Sequence, residues 1–199
     1  MKRLIMTVCA VALVGCASQS QQAQITPEKQ EKIKEIGEAS AMKLLKTLRG
    51  ELLEAMQKEG PVGAVEVCSN KAMVLTKQVE TETSTHIKRA TFKYRNPQNA
   101  PDKYEVEALT YFEETLKKDG KLPPYYIQTV KENGKITYRY YKPLKVEGLC
   151  LTCHGDKNLM DKQLVEKIEK LYPQDKAYGY KEGDFRGVVR VSIDAEKVR

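Results

Sequence analysis

The chain is poor in the side chains that hold most protein metals. Among its 199 residues only His86 and His154 are histidine, and of the five cysteines (Cys9, Cys16, Cys68, Cys150 and Cys153) only the last two form a close pair. Zinc takes four ligands, and with no second pair and no histidine cluster a zinc centre is excluded. Apolar runs are short as well: residues 4–14 span eleven positions, about 16 Å of helix at roughly 1.5 Å per residue, where a bilayer needs about 30 Å. A transmembrane span is excluded there. No internal repeat is present. The charge excess is mild, +7 in formal terms, and Lys and Arg alternate with Asp and Glu over 29–34 and 161–170. Solvated helix faces look like this; a nucleic-acid surface does not, and no nucleic-acid partner is expected.

What stands at the N-terminus is a secretory signal: Lys2 and Arg3, then the apolar stretch 4–14. It runs into Leu13-Val14-Gly15-Cys16, which resembles a bacterial lipoprotein box. Cys16 would become the diacylated first residue, and two or three acyl chains exceed the single-chain threshold of marginal membrane binding. Removing residues 1–15 takes away Lys2 and Arg3 and lowers the net charge from +7 to +5. The expected organisation is a signal peptide over 1–15, a lipidated cysteine and flexible Ser/Gln/Ala tether over 16–26, and one domain over 27–199. The expected location is the periplasmic side of a bacterial membrane. Ala17 after Cys16 gives no inner-membrane retention signal, so the outer membrane is the default.

Thr26-Pro27 reads as a helix start. Ala41, Leu45, Leu48, Leu52 and Met56 then repeat at spacings of three and four, predicting an amphipathic helix to Lys58, broken near Gly37 or Gly50. Gly60-Pro61 punctuates. A second helix carries Val65, Cys68, Ala72, Leu75 and Val79 on one stripe, which points Cys68 into the core. Residues 86–95 alternate as a half-buried strand, 103–119 as a helix, and 125–131 and 135–141 as strands joined through Asn133-Gly134, a strong hairpin signal. Asp161 caps a short helix with Leu164, Ile168 and Leu171; Gly187, Val189, Val191 and Ile193 alternate in a last strand. The fold class is therefore α+β: about four antiparallel strands flanked by helices, the hairpin central, with a long N-terminal helix.

Chemistry concentrates in Cys150-Leu151-Thr152-Cys153-His154. Two thiols three residues apart can each add to one haem vinyl group while the next residue reaches the iron, the c-type attachment pattern. A disulfide or redox pair would give His154 no role, and attachment on the exported side agrees with the signal sequence. The cofactor expected is one covalent haem c on Cys150 and Cys153, with His154 as axial ligand. The sixth position has four candidates: Cys68, His86, Met73 and Met160. Cys68 is the thiol left over in an oxidising compartment, and either ligates iron or fills its helix stripe. His86 opens a strand, Met160 lies too few residues past His154 to cross the haem, and Met73, off the stripe, reads as core. Lys88, Arg89, Lys93 and Arg95 offer partners for haem propionates, with Arg89 and Arg95 preferred.

The stretch 62–193 resembles the single-haem c-type proteins with a PAS-like sensor fold. The matching segments are Ala64-Val65-Glu66-Val67-Cys68, Lys93-Tyr94-Arg95-Asn96-Pro97-Gln98-Asn99-Ala100-Pro101, Cys150 to Gly155, Tyr172-Pro173-Gln174-Asp175-Lys176-Ala177-Tyr178-Gly179-Tyr180, and Gly183-Asp184-Phe185-Arg186-Gly187. The resemblance implies a PAS-like domain whose iron lies between the motif histidine and a helix cysteine, here His154 and Cys68. His86 falls where no family ligand is expected.

A thiolate ligand lowers the haem potential relative to His/Met ligation, so a high-potential carrier is not the natural reading. The first expectation is a redox or small-gas sensor, in which Cys68 leaves the iron on reduction or on binding of nitric oxide or carbon monoxide and a separate partner protein receives the signal. The alternative is low-potential electron transfer at the membrane surface. A peroxidase-like enzyme is third, and the chain is not expected to be an enzyme. For the anchor, Cys16→Ala is expected to abolish acyl labelling and move the protein out of the membrane fraction; unchanged fractionation would remove the lipoprotein reading.

Overall fold

The structure, a computed structural model, describes residues 25–199. The expected signal peptide, Cys16 and most of the tether fall on 1–24, outside the described residues.

Helix α1 (Pro27–Thr83) starts as its sequence dictates: the Thr26 side chain accepts from the Lys29 N–H, and Pro27, whose missing N–H would have no partner there, takes the first position. It is broken once, at Gly60, whose φ of 67° and ψ of −176° suit only glycine, and Pro61 restarts it. The two arms fold back antiparallel, tied by Lys43–Glu82 at 2.6 Å and Lys71–Glu51 at 2.9 Å. The expected break near Gly37 or Gly50 is absent, because Gly37 serves packing instead. A Cβ at Gly37 would overlap the buried Tyr140 ring, whereas one at Gly50 would meet open space.

Strands β1 (His86–Ala90), β2 (Tyr126–Glu132), β3 (Lys135–Lys145) and β4 (Phe185–Asp194) form one antiparallel sheet in the order β1-β4-β3-β2. The β2–β3 hairpin turns on Asn133 and Gly134, at φ 51° and 77°. It is not central as a unit: β2 is an edge, and β4 inserts between β1 and β3 because Val188, Val189, Val191 and Ile193 need cover on both faces. β3 continues past Tyr141 through Pro143, beyond the end of β2, where the missing N–H faces no strand.

β1 stops at Ala90, not at Arg95. Opposite its end stands Gly187 at φ 139°, pressed against the Ala90 carbonyl and Thr91, and the chain leaves the ladder. Thr91 donates its N–H to Asn99, Asn96 caps the short turn Pro97–Asn99, and Phe92 is exposed. The alternation over 91–95 belongs to a loop.

The two faces of the sheet are covered separately. The first arm of α1 packs Ile33, Ala41 and Leu44 on Tyr140, Val189, Val191 and Ile193; α2 (Lys103–Asp119) packs Leu109 and Phe112 on Tyr141 and Val188. Asp102 and Glu105 form a capping box at the start of α2, and the fully buried Glu105 carboxylate takes Lys88 at 2.6 Å and Arg190 at 3.1 Å. Lys88 is thereby committed to the α2 face. α4 (Lys162–Leu171), capped by Asp161, lays Leu164 and Ile168 against Val65 of the second α1 arm.

Gly37→Ala is expected to destabilise the fold by about 2–3 kcal/mol through overpacking against Tyr140, and Gly50→Ala to stabilise it by up to ~1 kcal/mol through helix propensity. Urea unfolding of the two variants checks the pair; equal shifts would refute the packing role of Gly37.

Candidate haem site

The site is built from irregular segments that the sheet and α1 hold in place. The turn Gly148–Cys150 leads into a single helical turn, α3 (Leu151–His154), which sets Cys150, Cys153 and His154 on one short coil. Both thiols are free and half-buried. Cys150 borders Val146, Ala177 and Tyr180, and Cys153 borders Val65, Leu164 and Ile168.

The strap 172–180 opens with a turn closed by Asp175 N–H on the Tyr172 carbonyl and then crosses the motif. Tyr180 N–H donates to the His154 carbonyl at 3.0 Å, Gly179 N–H to Gly155 at 2.8 Å, and Lys176 N–H to Tyr94 at 2.9 Å. The His154 ring is fixed by the same strap: Nδ1 stands 2.8 Å from the Ala177 carbonyl. A carbonyl only accepts, so Nδ1 carries the proton and the Nε2 lone pair is left for a metal, the orientation an axial histidine needs. Tyr180 meets the imidazole edge-on at 6.3 Å. Burial, followed by the nearby Arg95 and Arg186 charges, pushes the His154 pKa down to about 3, so the ring is neutral.

The loop 91–95 delivers Arg95. Its Nε donates to Asp175 at 2.9 Å and its Nη2 to the Cys153 carbonyl at 2.6 Å, over the face of Tyr178. Lys93 donates to the Tyr178 carbonyl and lies 4.3 Å from the Tyr180 ring centre. Arg186, at the start of β4, donates through Nη1 to Thr91 Oγ1 and the Lys93 carbonyl.

Cys68 lies on the second α1 arm, half-buried and outside the apolar clusters, so it does not fill the core as its stripe suggested. Its thiol faces charge: burial raises its pKa while Arg89 and Arg95 oppose the rise, and Cys68 in turn acts on Cys153. Arg89, half-buried, lies near Tyr172 and Cys68, and has no ion-pair or hydrogen-bond partner among the described residues. The residues fit a haem. They supply two thiols one turn apart, an imidazole with Nε2 free, another thiol on a facing helix, and guanidinium groups without counter-ions.

Residues 16–194 match the family described as Tll0287-like. The chain belongs to the Tll0287-like family. The crystal structure of the cyanobacterial heme-protein Tll0287 is similar to it at a TM-score of 0.60 and 26% identity, over 85% of this chain and 96% of that one. No functionally curated protein matches the chain.

Of the sequence candidates, this Tll0287-like fold brings together Cys68, Arg89, Lys93, Arg95, Cys150, Cys153 and His154. It leaves out Lys88, held by Glu105, and His86, which is exposed at the start of β1 with Nδ1 3.9 Å from Glu80. Met73 is exposed rather than core, and Met160 packs beside Val65 and Leu164. Sequence reasoning assigned no role to Tyr172, Asp175, Ala177, Tyr180 or Arg186. Their segments carry no periodicity, and their one signal was the resemblance over 172–180 and 183–187.

In the haem-free variant Cys150→Ala/Cys153→Ala, the lowered pKa of His154 has a defined linkage. Above the unfolded value of about 6.5 it adds no pH dependence; below it the unfolded chain binds a proton the fold refuses, so stability falls with pH. The difference from the same variant carrying His154→Gln is expected to slope by about 1.4 kcal/mol per pH unit between pH 6 and 4. Parallel urea-unfolding profiles would refute a buried neutral His154.

Proposed function

We propose that the chain is an extracytoplasmic, lipid-anchored protein that carries one haem c on Cys150 and Cys153, with His154 and Cys68 as axial ligands, and acts as a redox or small-gas sensor. The observation that carries this is the His154 ring, held through Nδ1 by Ala177 with Nε2 free, one residue past Cys153, which packs against Val65 of the helix arm bearing Cys68. Membership of a family whose solved representative is a haem protein supports it. The same reading takes the four-stranded sheet and its helices as a PAS-like sensor fold, Cys16 as the lipid attachment point, and the periplasmic side of the outer membrane as the default location.

When bound, the haem supplies a one-electron couple and, with one axial position open, a site for nitric oxide or carbon monoxide. The protein's part is to make Cys68 releasable. Its thiol is half-buried, burial raises its pKa against the opposing charges of Arg89 and Arg95, which favours the protonated thiol off the metal, and its arm joins the rest of α1 through the glycine break at Gly60. The half of that arm nearest the break rests on α4 through Val65 and the Glu66–Lys167 pair. Loss of the iron–sulfur bond would bias the position of this arm, the kind of two-state element a sensor requires.

Low-potential electron transfer to a redox partner is the second reading, favoured by how firmly His154 and Arg95 are braced, since a carrier gains from a site that does not rearrange. A peroxidase-like enzyme is third: the one remaining imidazole, His86, is exposed at the far end of β1.

The oxidised protein is expected to be low-spin with a thiolate charge-transfer band that Cys68→Ala removes, and reduction is expected to admit carbon monoxide. Optical spectra of both proteins, oxidised, reduced and with carbon monoxide, check this. A spectrum indifferent to Cys68→Ala would mean a different sixth ligand, and a reduced protein closed to carbon monoxide would favour electron transfer.

A further inference from the structure

Around the motif stand Arg89, Lys93, Arg95 and Arg186, with Asp175 engaged by Arg95, and Lys157 over the Tyr178 ring with its charge met by Glu169. Each cation can be followed to its partners. Arg95 takes Asp175 and the Cys153 carbonyl. Lys93 is exposed and rests on the Tyr178 carbonyl and the Tyr180 ring. Arg186 is half-buried over Tyr180 and donates through Nη1 alone, to the neutral oxygens of Thr91, Lys93 and Tyr180. Arg89 donates to nothing among the described residues. Two guanidinium groups, removed in part from water and repelling each other, thus lack a counter-ion. Such charges are costly unless an anion meets them.

Their placement says where that anion lies. Arg186 lies over the Tyr180 ring, which meets the His154 imidazole edge-on, and the β1–β4 pairing of Ala90 with Val188 sets Arg89 at the same end of the sheet; unlike Arg95, neither is tied to a carboxylate. A planar group held between the imidazole and the thiol would present its edge to both. Resting on the haem reading above, we infer that Arg186 and Arg89 together form the seat for the haem propionates, whereas Arg95 braces the motif backbone. Guanidinium suits this seat, since its fork matches a carboxylate and stays charged at every working pH. The Cys68 thiolate offsets one charge beside Arg89; the carboxylates answer Arg186 and the remainder. The other ionisable groups facing the seat are Tyr172, Tyr178 and Tyr180, with Glu51 of the first α1 arm acting on Cys68 and Lys157 and Asp175 beside Tyr178.

The test is a redox titration of the full-length holoprotein from pH 5 to 8, with covalent haem quantified by its pyridine haemochrome. In the wild type, paired propionates stay ionised and are expected to add no inflection to the midpoint potential between pH 5 and 8, so each variant is read against the wild type at the same pH. In Arg186→Gln the loss of a positive charge disfavours the reduced haem. The reduced-to-oxidised ratio at fixed ambient potential is expected to fall about tenfold at pH 8, equivalent to about 59 mV for a one-electron couple. It should recover toward pH 5 as the released carboxylate protonates. Arg89→Gln is expected to move in the same direction, and Arg186→Lys to restore the wild-type ratio, which a purely structural role would not produce. Should Arg186→Gln fail to fold, Arg89→Gln and Arg186→Lys still decide the matter.

Wild-type profiles in Arg186→Gln and Arg89→Gln, with covalent haem intact, would overturn the seat. A wild-type potential that shifts on adding inorganic phosphate would overturn it too, since the guanidinium groups would then be holding a free anion. Absence of covalent haem from the wild type would instead defeat the haem reading itself.

Discussion

The guanidinium of Arg95 joins three segments that no ladder or helix holds together: its own loop after β1, the strap through Asp175, and the cysteine motif through the Cys153 carbonyl. Both hydrogen bonds involve a charged donor, and the Arg95–Asp175 pair is nearly shut off from water, with side chains 12% and 3% exposed. In such a place a charge-assisted bond is strong, and a missing partner is costly. The position of the strap sets that of Ala177, and Ala177 sets the proton on His154 Nδ1. One ion pair therefore reaches, through two more hydrogen-bonded steps, the atom that would meet the metal. That pair exists because β1 ends early. Were β1 to continue to residue 95 as its alternation suggests, Arg95 would lie along the sheet and the strap would lose its anchor.

The scaffold beneath is rigid where the site needs support and jointed where Cys68 stands. The first arm of α1 lies on the sheet with Ile33, Ala41 and Leu44 fully buried, closely enough that Gly37 has no room for a methyl group against Tyr140. The second arm is divided. Val79, near its end, belongs to the sheet core, while Val65 and Cys68, nearer Gly60, meet α4 and the cation cluster. Val65 and Cys68 lie outside that core, so a shift of this half of the arm would exchange their neighbours without opening it.

Much of this architecture is legible in the sequence because it rests on local rules. Thr26-Pro27, Asn133-Gly134, Asp161 and the stripe of Val189, Val191 and Ile193 each encode a start, a turn, a cap or a buried face by chemistry acting within a few residues. The departures occur where tertiary contact overrides that chemistry. Gly37 reads as a breaker until Tyr140 is seen against it. Residues 91–95 read as a strand until Gly187 is seen ending the ladder, and Met73 reads as core although it faces solvent. In the site, Cys150, Cys153 and His154 declare themselves by spacing. Arg186 does not, because a lone arginine beside two glycines has no periodicity and its meaning lies wholly in what surrounds it.

Charge accounts for what spacing cannot. A fold that gathers Arg89, Arg95 and Arg186 around one carboxylate is electrostatically incomplete alone, and burial makes the deficit larger by weakening the solvation of each cation. Hydrophobic packing would not tolerate such a cluster without return, since apolar side chains of similar volume would be more stable there. The cluster makes sense if the missing negative charge arrives with something else. A haem would bring two propionates, one for each of the two guanidinium groups that Asp175 does not meet. On this view the cations and the cysteines are parts of one device: thiol addition would fix the group covalently, while the guanidinium groups would hold its carboxylates and set how readily it accepts an electron.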